Sequence, residues 1–326
     1  MHIFYIISEK IMKITVLDAS TLGDDLDLGC FEEFGELDVR QNTTPEEVEE
    51  ALWDSDVAVL NKVKLGAHNL KNLKKLKLVC VAATGYDNID CEYLKKRGIA
   101  LYNVPGYCTA GVVQVTVAMA LSLLTKLESY RDFVHSGKYS QGKVANKVSP
   151  YYREISSLTW GVVGGGAIGR GVAKAAEALG ARVLMCRRKQ EEEFEACDID
   201  TLCKKSDIIT LHVPLNEQTN NLINTKRIAS MKDGTILVNV SRGKVCDELA
   251  LTEAVLSGKL GGLGMDVYSA EPMSKDHPYN RIVHLDNVCL TPHMAWGSVE
   301  SRKRCVRIIC DNIRGFLSEK DQNRIV

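Results

Sequence analysis

The sequence has no surplus of either charge. Lysine and arginine total 41 against 42 aspartates and glutamates, a net charge of −1. A nucleic-acid-binding domain usually carries a basic excess, so no nucleic-acid partner is expected. Long apolar runs are also lacking. The longest, Val115–Leu124 (VTVAMALSLL), is far shorter than the ~20 residues that span a bilayer, so no membrane partner is expected. No two cysteines have C-x-x-C spacing, and their number, 11, is odd. A disulfide framework is therefore not expected, and the thiols read as reduced, small core residues of a cytoplasmic protein. No His/Cys/carboxylate cluster has zinc spacing, so no metal is expected. The opening MHIFYIISEKI has a short apolar run with no preceding Lys or Arg, unlike a secretory signal. Its first eleven residues read either as an alternative start or as an extra edge strand.

What is present is an ordinary globular composition over 326 residues, 45% hydrophobic and 25% charged, enough for about two domains. Short apolar runs alternate with helical patterns. Lys13–Asp18, Asp56–Asn61, Lys77–Ala83 and Ile99–Val104 read as strands of a first series. Thr44–Trp53 reads as a helix capped by Thr44, with Pro45 at its first position. A second series has strands ending at Gly164 and at Cys186, then Asp207–Val213, Gly234–Val240, Gly262–Tyr268 and Asn287–Pro292. Near-continuous apolar strands alternating with helices predict an α/β protein with parallel sheets buried on both faces. Apolar helices are predicted over Ala110–Leu127 and Val299–Phe316.

G-x-G-x-x-G occurs as Gly164, Gly166 and Gly169, after an apolar strand and at the start of a helix. That context distinguishes a dinucleotide fingerprint from a glycine-rich turn without a ligand. The glycines permit the tight turn, close approach to the pyrophosphate and helix–sheet packing, and the helix N-terminus offers free N–H groups. An acid should end the next strand if the ligand is NAD. Here that strand ends in Arg187-Arg188-Lys189, cations suited to the 2′-phosphate of NADP. The competing reading is a solvated basic turn.

Further along, HVPLNEQTNNLIN (His212–Asn224), VNVSRGKVCDELAL (Val238–Leu251), GLGMDVYSAEP (Gly262–Pro272) and TPHMAW (Thr291–Trp296) follow in order. Together with ATGYDNID (Ala83–Asp90) and NVPGY (Asn103–Tyr107), these blocks resemble the D-isomer-specific 2-hydroxyacid dehydrogenases. The wording is most similar to the glycerate dehydrogenase/hydroxypyruvate reductase branch. The resemblance implies a doubly wound Rossmann domain, residues 106–293, inserted into a smaller flavodoxin-like α/β substrate domain. That second domain would comprise residues 1–105 and a C-terminal helix over 294–326. The active site would lie in the interdomain cleft. A homodimer is implied, with the helix Ala110–Leu127 forming much of its interface.

The same resemblance implies the site residues. His293 would donate the proton, Glu271 would be its acidic partner, and Arg242 would hold the substrate carboxylate and polarise the ketone. Backbone N–H groups of Thr84, Gly85 and Tyr86 would also bind the carboxylate. Asp266 would accept a hydrogen bond from the nicotinamide carboxamide. Ala167, Ile168, Val213, Val240, Ser241, His293 and Ala295 would complete the cofactor site with Arg187 and Arg188. His212 reads equally as structural or as ribose-lining. Two departures stand out: Arg187 replaces the acid of many members, and Val115 follows Gln114 where relatives often have His.

The expected activity is reduction of hydroxypyruvate or glyoxylate, with NADP the preferred cofactor and NAD the alternative. An NAD-linked D-lactate or 3-phosphoglycerate dehydrogenase is the enzymatic alternative, although the end at Val326 leaves no room for a regulatory domain. A dinucleotide-sensing corepressor of the same fold is the alternative from outside catalysis.

Overall fold

The computed structural model describes residues 12–187, 193–320 and 322–326. The chain divides into two compact units, one of Met1–Cys108 with Gly297–Val326 and the other of Thr109–Trp296.

The first unit contains strands β1 (Met12–Val16), β2 (Gly35–Val39), β3 (Val57–Leu60), β4 (Leu78–Val81) and β5 (Ala100–Tyr102). Helices α1 (Val48–Ala51), α2 (Ala67–Leu70) and α3 (Cys91–Arg97) connect them. The strands form a five-stranded parallel sheet in the order β2-β1-β3-β4-β5. Every residue of β3 and β4 is buried, as a sheet covered on both faces requires. The C-terminal helix Val299–Leu317 belongs to this unit, and Asn312 Nδ2 donates to the Asn103 carbonyl at 2.9 Å. Beyond it the chain pairs antiparallel with β5, where Ile325 N–H donates to the Leu101 carbonyl at 2.7 Å.

One local expectation fails in this unit, and one strand was not expected. The helix predicted over Thr44–Trp53 shrinks to α1, and Thr44 does not cap it. Instead the Thr44 N–H donates to the Glu47 carboxylate at 2.8 Å, which holds the chain in a turn before the helix begins. Strand β2 was not predicted. Its sequence GELDV carries a glycine and two acids, and the strand is a partly exposed edge, where charge discourages further pairing.

The second unit opens with α4 (Thr109–Thr125), α5 (Leu127–His135) and α6 (Lys138–Gln141). Helix α4 matches the helix predicted over Ala110–Leu127 to within two residues; Lys126, at φ 57, separates it from α5, which diverges by 66°, and Lys126 Nζ donates to the Gly261 carbonyl. Among the described residues no single helix is long and apolar enough to cross a membrane. Then come β6 (Thr159–Val163), α7 (Ala167–Ala178), β7 (Arg182–Cys186), β8 (Glu195–Ala196), α8 (Ile199–Lys205), β9 (Ile208–Leu211) and α9 (Thr225–Ser230). Strand β10 (Thr235–Asn239), helix α10 (Glu248–Leu256), and strands β11 (Leu260–Met265) and β12 (Val288–Leu290) complete it. The seven-stranded parallel sheet has the order β12-β11-β10-β9-β6-β7-β8. From β6 the chain winds outward to β8, then returns to β9 on the other side. This reversal between β6 and β9 is a topological switch point, where open α/β sheets bind ligands beyond the carboxyl ends of their strands. Met119, Ala120 and Leu123 of α4 pack with Trp160, Val162 and Ile236 in one buried layer.

Candidate active site

The glycine fingerprint lies at the switch point. Gly164 has φ 112, a left-handed conformation that favours glycine. A Cβ on Gly164 would come within 2.4 Å of the His212 carbonyl oxygen, and one on Gly169 within 1.9 Å of the Gly164 carbonyl oxygen. Around a Gly166 Cβ there would be nothing within 4 Å. The turn is therefore pressed against β9 at its base and open at the residue that caps α7. No side chain caps this helix, so its first N–H groups, at Ala167 and Ile168, point out of the turn for an anion. These residues fit a dinucleotide pyrophosphate.

A second cluster occupies the carboxyl edge of β11 and β12. Asp266 follows β11 and is almost fully buried, at 1% exposure. Its Oδ1 accepts the Thr291 hydroxyl at 2.6 Å and the Met294 N–H at 2.8 Å, while Oδ2 accepts the Ala295 N–H at 3.0 Å. The loop between these anchors carries His293, at φ 52. His293 Nδ1 stands 2.7 Å from Glu271 Oε2, and Glu271 Oε1 accepts the Tyr268 N–H at 3.1 Å. The carboxylate thus engages Nδ1 and fixes the orientation of the ring. The Tyr268 hydroxyl donates to the Thr291 carbonyl at 2.9 Å. Burial, then the charges of Asp266 and Glu271, push that phenol up to about 12, so it stays a donor.

Thus one unit of the chain holds a dinucleotide-type turn and an imidazole–carboxylate dyad on a single sheet edge. Residues 117–295 match the family model of the D-isomer specific 2-hydroxyacid dehydrogenase, NAD binding domain. The chain belongs to the D-isomer-specific 2-hydroxyacid dehydrogenases. It is 37% identical over 280 residues to a glycerate dehydrogenase of Methylorubrum extorquens, covering 86% of this chain and 88% of that one. A hydroxypyruvate reductase of Blautia hydrogenotrophica is 35% identical over 321 residues, covering 96% and 99%. Among solved structures, an acyclic imino acid reductase in complex with NADPH and D-Arg superposes with a TM-score of 0.86 at 30% identity, covering 97% of this chain and all (100%) of that one. The protein is accordingly an enzyme, an oxidoreductase of the nicotinamide-dinucleotide class with the α/β Rossmann architecture.

The other site residues of this dehydrogenase are distributed as follows. Val213 lies against the fingerprint, with its Cγ1 3.1 Å from a Gly164 Cβ position. Ser241 is pinned by its N–H and hydroxyl to Asn239 Oδ1, at 2.9 and 2.7 Å, and Val240 packs on the buried layer beneath. Arg242 follows them, its carbonyl held by Asn239 Nδ2 at 2.9 Å. Ala295 is buried and tied to Asp266. Arg187 directly follows β7, and its Cβ lies 3.0 Å from where a Gly165 Cβ would stand, so its stem covers the fingerprint turn. Arg188 and Lys189 lie outside the described residues. In the first unit, Thr84, Gly85 and Tyr86 form the turn after β4. Thr84 is fixed there by its hydroxyl to the Val104 carbonyl and by Asn103 Nδ2 to its own carbonyl, at 2.9 and 2.8 Å.

His212 is half-buried as a residue, yet both ring nitrogens are inaccessible and without a hydrogen-bond partner among the described residues. Burial drives this imidazole down to about 3, so it is neutral at physiological pH. Sequence reading missed Thr291, which bonds to Asp266 and to the Tyr268 hydroxyl, and the Glu248–His277 pair at 3.0 Å. Only the first was signalled, by its place one residue before Pro292-His293. Among the described residues no group of three or more His, Cys, Asp and Glu side chains could hold a metal ion.

Proposed function

We propose that this enzyme reduces a small 2-keto acid, hydroxypyruvate or glyoxylate, and prefers NADPH to NADH. The observation that carries the reading is the His293–Glu271 pair at 2.7 Å on the sheet edge that also presents the fingerprint turn. The nicotinamide, when bound, supplies the hydride. His293 holds the proton on Nε2 and delivers it to the ketone oxygen, while Glu271 keeps the ring oriented. Arg242 opposes the negative charge that develops on that oxygen and binds the carboxylate with its guanidinium fork. Thr84, Gly85 and Tyr86 bind the carboxylate through backbone N–H groups, which makes the first unit the substrate domain. Ala167, Ile168 and Gly166 take the pyrophosphate, and Val213, Val240, Ser241 and Ala295 line the rest of the cofactor. Asp266, with three hydrogen bonds on a carboxylate of about four acceptor sites, retains one for the carboxamide.

The names of the relatives, glycerate dehydrogenase and hydroxypyruvate reductase, support the substrate class. Arg187, directly after β7, supports NADPH, as does the NADPH in the imino acid reductase. A cytoplasmic homodimer is part of the proposal. The buried face of α4 is used on its own sheet, so its contact falls on the exposed apolar side chains that follow: Leu127, Val134, Val148, Tyr151 and Tyr152. Steady-state kinetics with a panel of 2-keto acids and both cofactors tests the reading. Highest kcat/KM for hydroxypyruvate or glyoxylate with NADPH supports it, and turnover of neither refutes it.

A further inference from the structure

Glu248 opens α10 beside the dyad but outside it. Its side chain is 9% exposed, and that of its neighbour His277 is 4%. Glu248 Oε1 accepts the Ser269 N–H at 2.7 Å. Oε2 accepts the Ser269 hydroxyl and stands 3.0 Å from His277 Nε2. The Tyr279 N–H donates to His277 Nδ1 at 3.2 Å. A ring nitrogen that accepts carries no proton, so the proton sits on Nε2 and His277 donates to Glu248. Two of the three donors on this carboxylate, a backbone N–H and a pinned imidazole N–H, cannot turn into acceptors.

The segment gripped in this way is the one that presents Glu271. Ser269 follows Tyr268, whose N–H donates to Glu271 Oε1 at 3.1 Å, while Glu271 Oε2 meets His293 Nδ1. Gly243, next to Arg242, presses on the same peptide: a Cβ there would lie 2.0 Å from the Tyr268 carbonyl carbon. The Tyr268–Ser269 peptide is thus held between the Glu248 carboxylate and the backbone of Gly243.

We infer that Glu248, with His277 as its fixed donor, is a positioning residue for the proton-transfer dyad, acting through the Tyr268–Ser269 peptide and Glu271. The inference rests on the reading of His293 and Glu271 given above. Glu248 itself touches neither His293 nor Glu271 through any of these bonds. An amide at 248 has a single acceptor oxygen, so one fixed donor would face another donor and the peptide would shift. Small misplacements of this kind cost up to about a hundredfold in rate.

The test is a double-mutant cycle of Glu248→Gln and Glu271→Gln in the full chain. It is read by kcat against cofactor KM, and by the pH profile of hydroxypyruvate reduction. Glu248→Gln should lower kcat about tenfold and alter the pH profile in the same sense as Glu271→Gln. Cofactor KM should stay within about twofold, because the fingerprint lies on other strands. In the Glu271→Gln background the same change should add less than about twofold, because its route to His293 is already cut. Full multiplicative loss in the double variant, or an unmoved pH profile, overturns the inference. If Glu248→Gln does not fold, Ser269→Ala and His277→Gln carry the test. Ser269→Ala should give a two- to threefold effect (an order-of-magnitude figure) of the same kind. His277→Gln, which keeps an N–H toward Glu248, should retain more activity than His277→Ala. Equal loss in the two His277 variants with no pH shift also overturns it. Wild-type rates in Glu271→Gln and His293→Ala would instead refute the reading of the dyad itself.

Discussion

Asp266 grips the chain on both sides of His293. Its Oδ1 binds the Thr291 hydroxyl two residues before and the Met294 N–H one residue after, and its Oδ2 binds the Ala295 N–H. An imidazole at positive φ is thereby fixed by a buried carboxylate from the neighbouring strand end. Asp266→Asn replaces one acceptor oxygen by an NH2 that must face a backbone N–H. One unsatisfied buried donor costs about 1–3 kcal/mol. Denaturant unfolding should report a loss of that size, with kcat falling more than cofactor affinity. A variant with full stability and full kcat would show that the loop is held by other contacts.

His293→Ala should lower the rate of keto-acid reduction by roughly 10²–10⁴, the usual worth of a positioned general acid. Cofactor binding, measured by quenching of nicotinamide fluorescence, should change little, since Gly164–Gly169 belong to a different turn. Retention of near wild-type kcat with the best substrate would remove His293 from proton transfer.

The Glu271 carboxylate meets the His293 ring at 2.7 Å. Glu271→Gln removes the charge while keeping the shape, and should lower kcat by up to about a hundredfold with a changed pH profile of kcat/KM. Wild-type kcat with an unchanged profile would exclude Glu271 as the partner.

His212 makes a prediction about stability. Its folded-state value, about 3, lies below the ordinary ~6.5 of the unfolded chain because the ring is buried. Between these values the unfolded state binds a proton that the folded state refuses. The contribution is therefore complete above about pH 6.5 and is lost as pH falls toward 3, on the order of 3 kcal/mol by pH 4. Unfolding free energies from pH 7 to 4 should decline less steeply for His212→Leu than for the wild type. Parallel curves would mean that the ring finds a proton-stabilising partner on acidification.

Much of this architecture could be read from the sequence, for a physical reason. Strands buried on both faces, such as β9 and β10, are apolar throughout, and a fingerprint between strand and helix has few alternative uses. The order of blocks around Arg242, Glu271 and His293 identified the family before any coordinate did. Edge strand β2 escaped because half-exposed strands carry ordinary polar sequence. The helix end near Lys126 was legible to within two residues, but the bend into α5 was not, because nothing in an apolar run marks a residue that will turn to φ 57 and reach the Gly261 carbonyl. Glu248 and His277 escaped for a third reason. In sequence they are a helix-opening acid and a His before Pro, and only the fold brings them within 3.0 Å.

Cofactor choice gives the last prediction. Arg187 directly follows β7, where an acid would repel a 2′-phosphate and accept ribose hydroxyls; an arginine reverses both effects. A charge-assisted hydrogen bond is worth about 1.5–3 kcal/mol, on the order of ten- to a hundredfold in affinity. NADPH should therefore be favoured over NADH in kcat/KM, through KM, because the phosphate is far from the transferred hydride. Arg187→Asp should reverse the preference in part, since Arg188 and Lys189 follow it in sequence. Gly165 offers a finer probe. A Cβ there would lie 3.0 Å from Arg187 Cβ and 3.2 Å from its Cδ, tight enough that the stem must move. Gly165→Ala should thus raise the KM for NADPH several-fold more than that for NADH, while leaving the charge of Arg187 intact. A wild-type preference for NADH would make the basic turn merely a solvated one. Equal KM changes for both cofactors in Gly165→Ala would place the effect on the shared pyrophosphate instead of the 2′-phosphate.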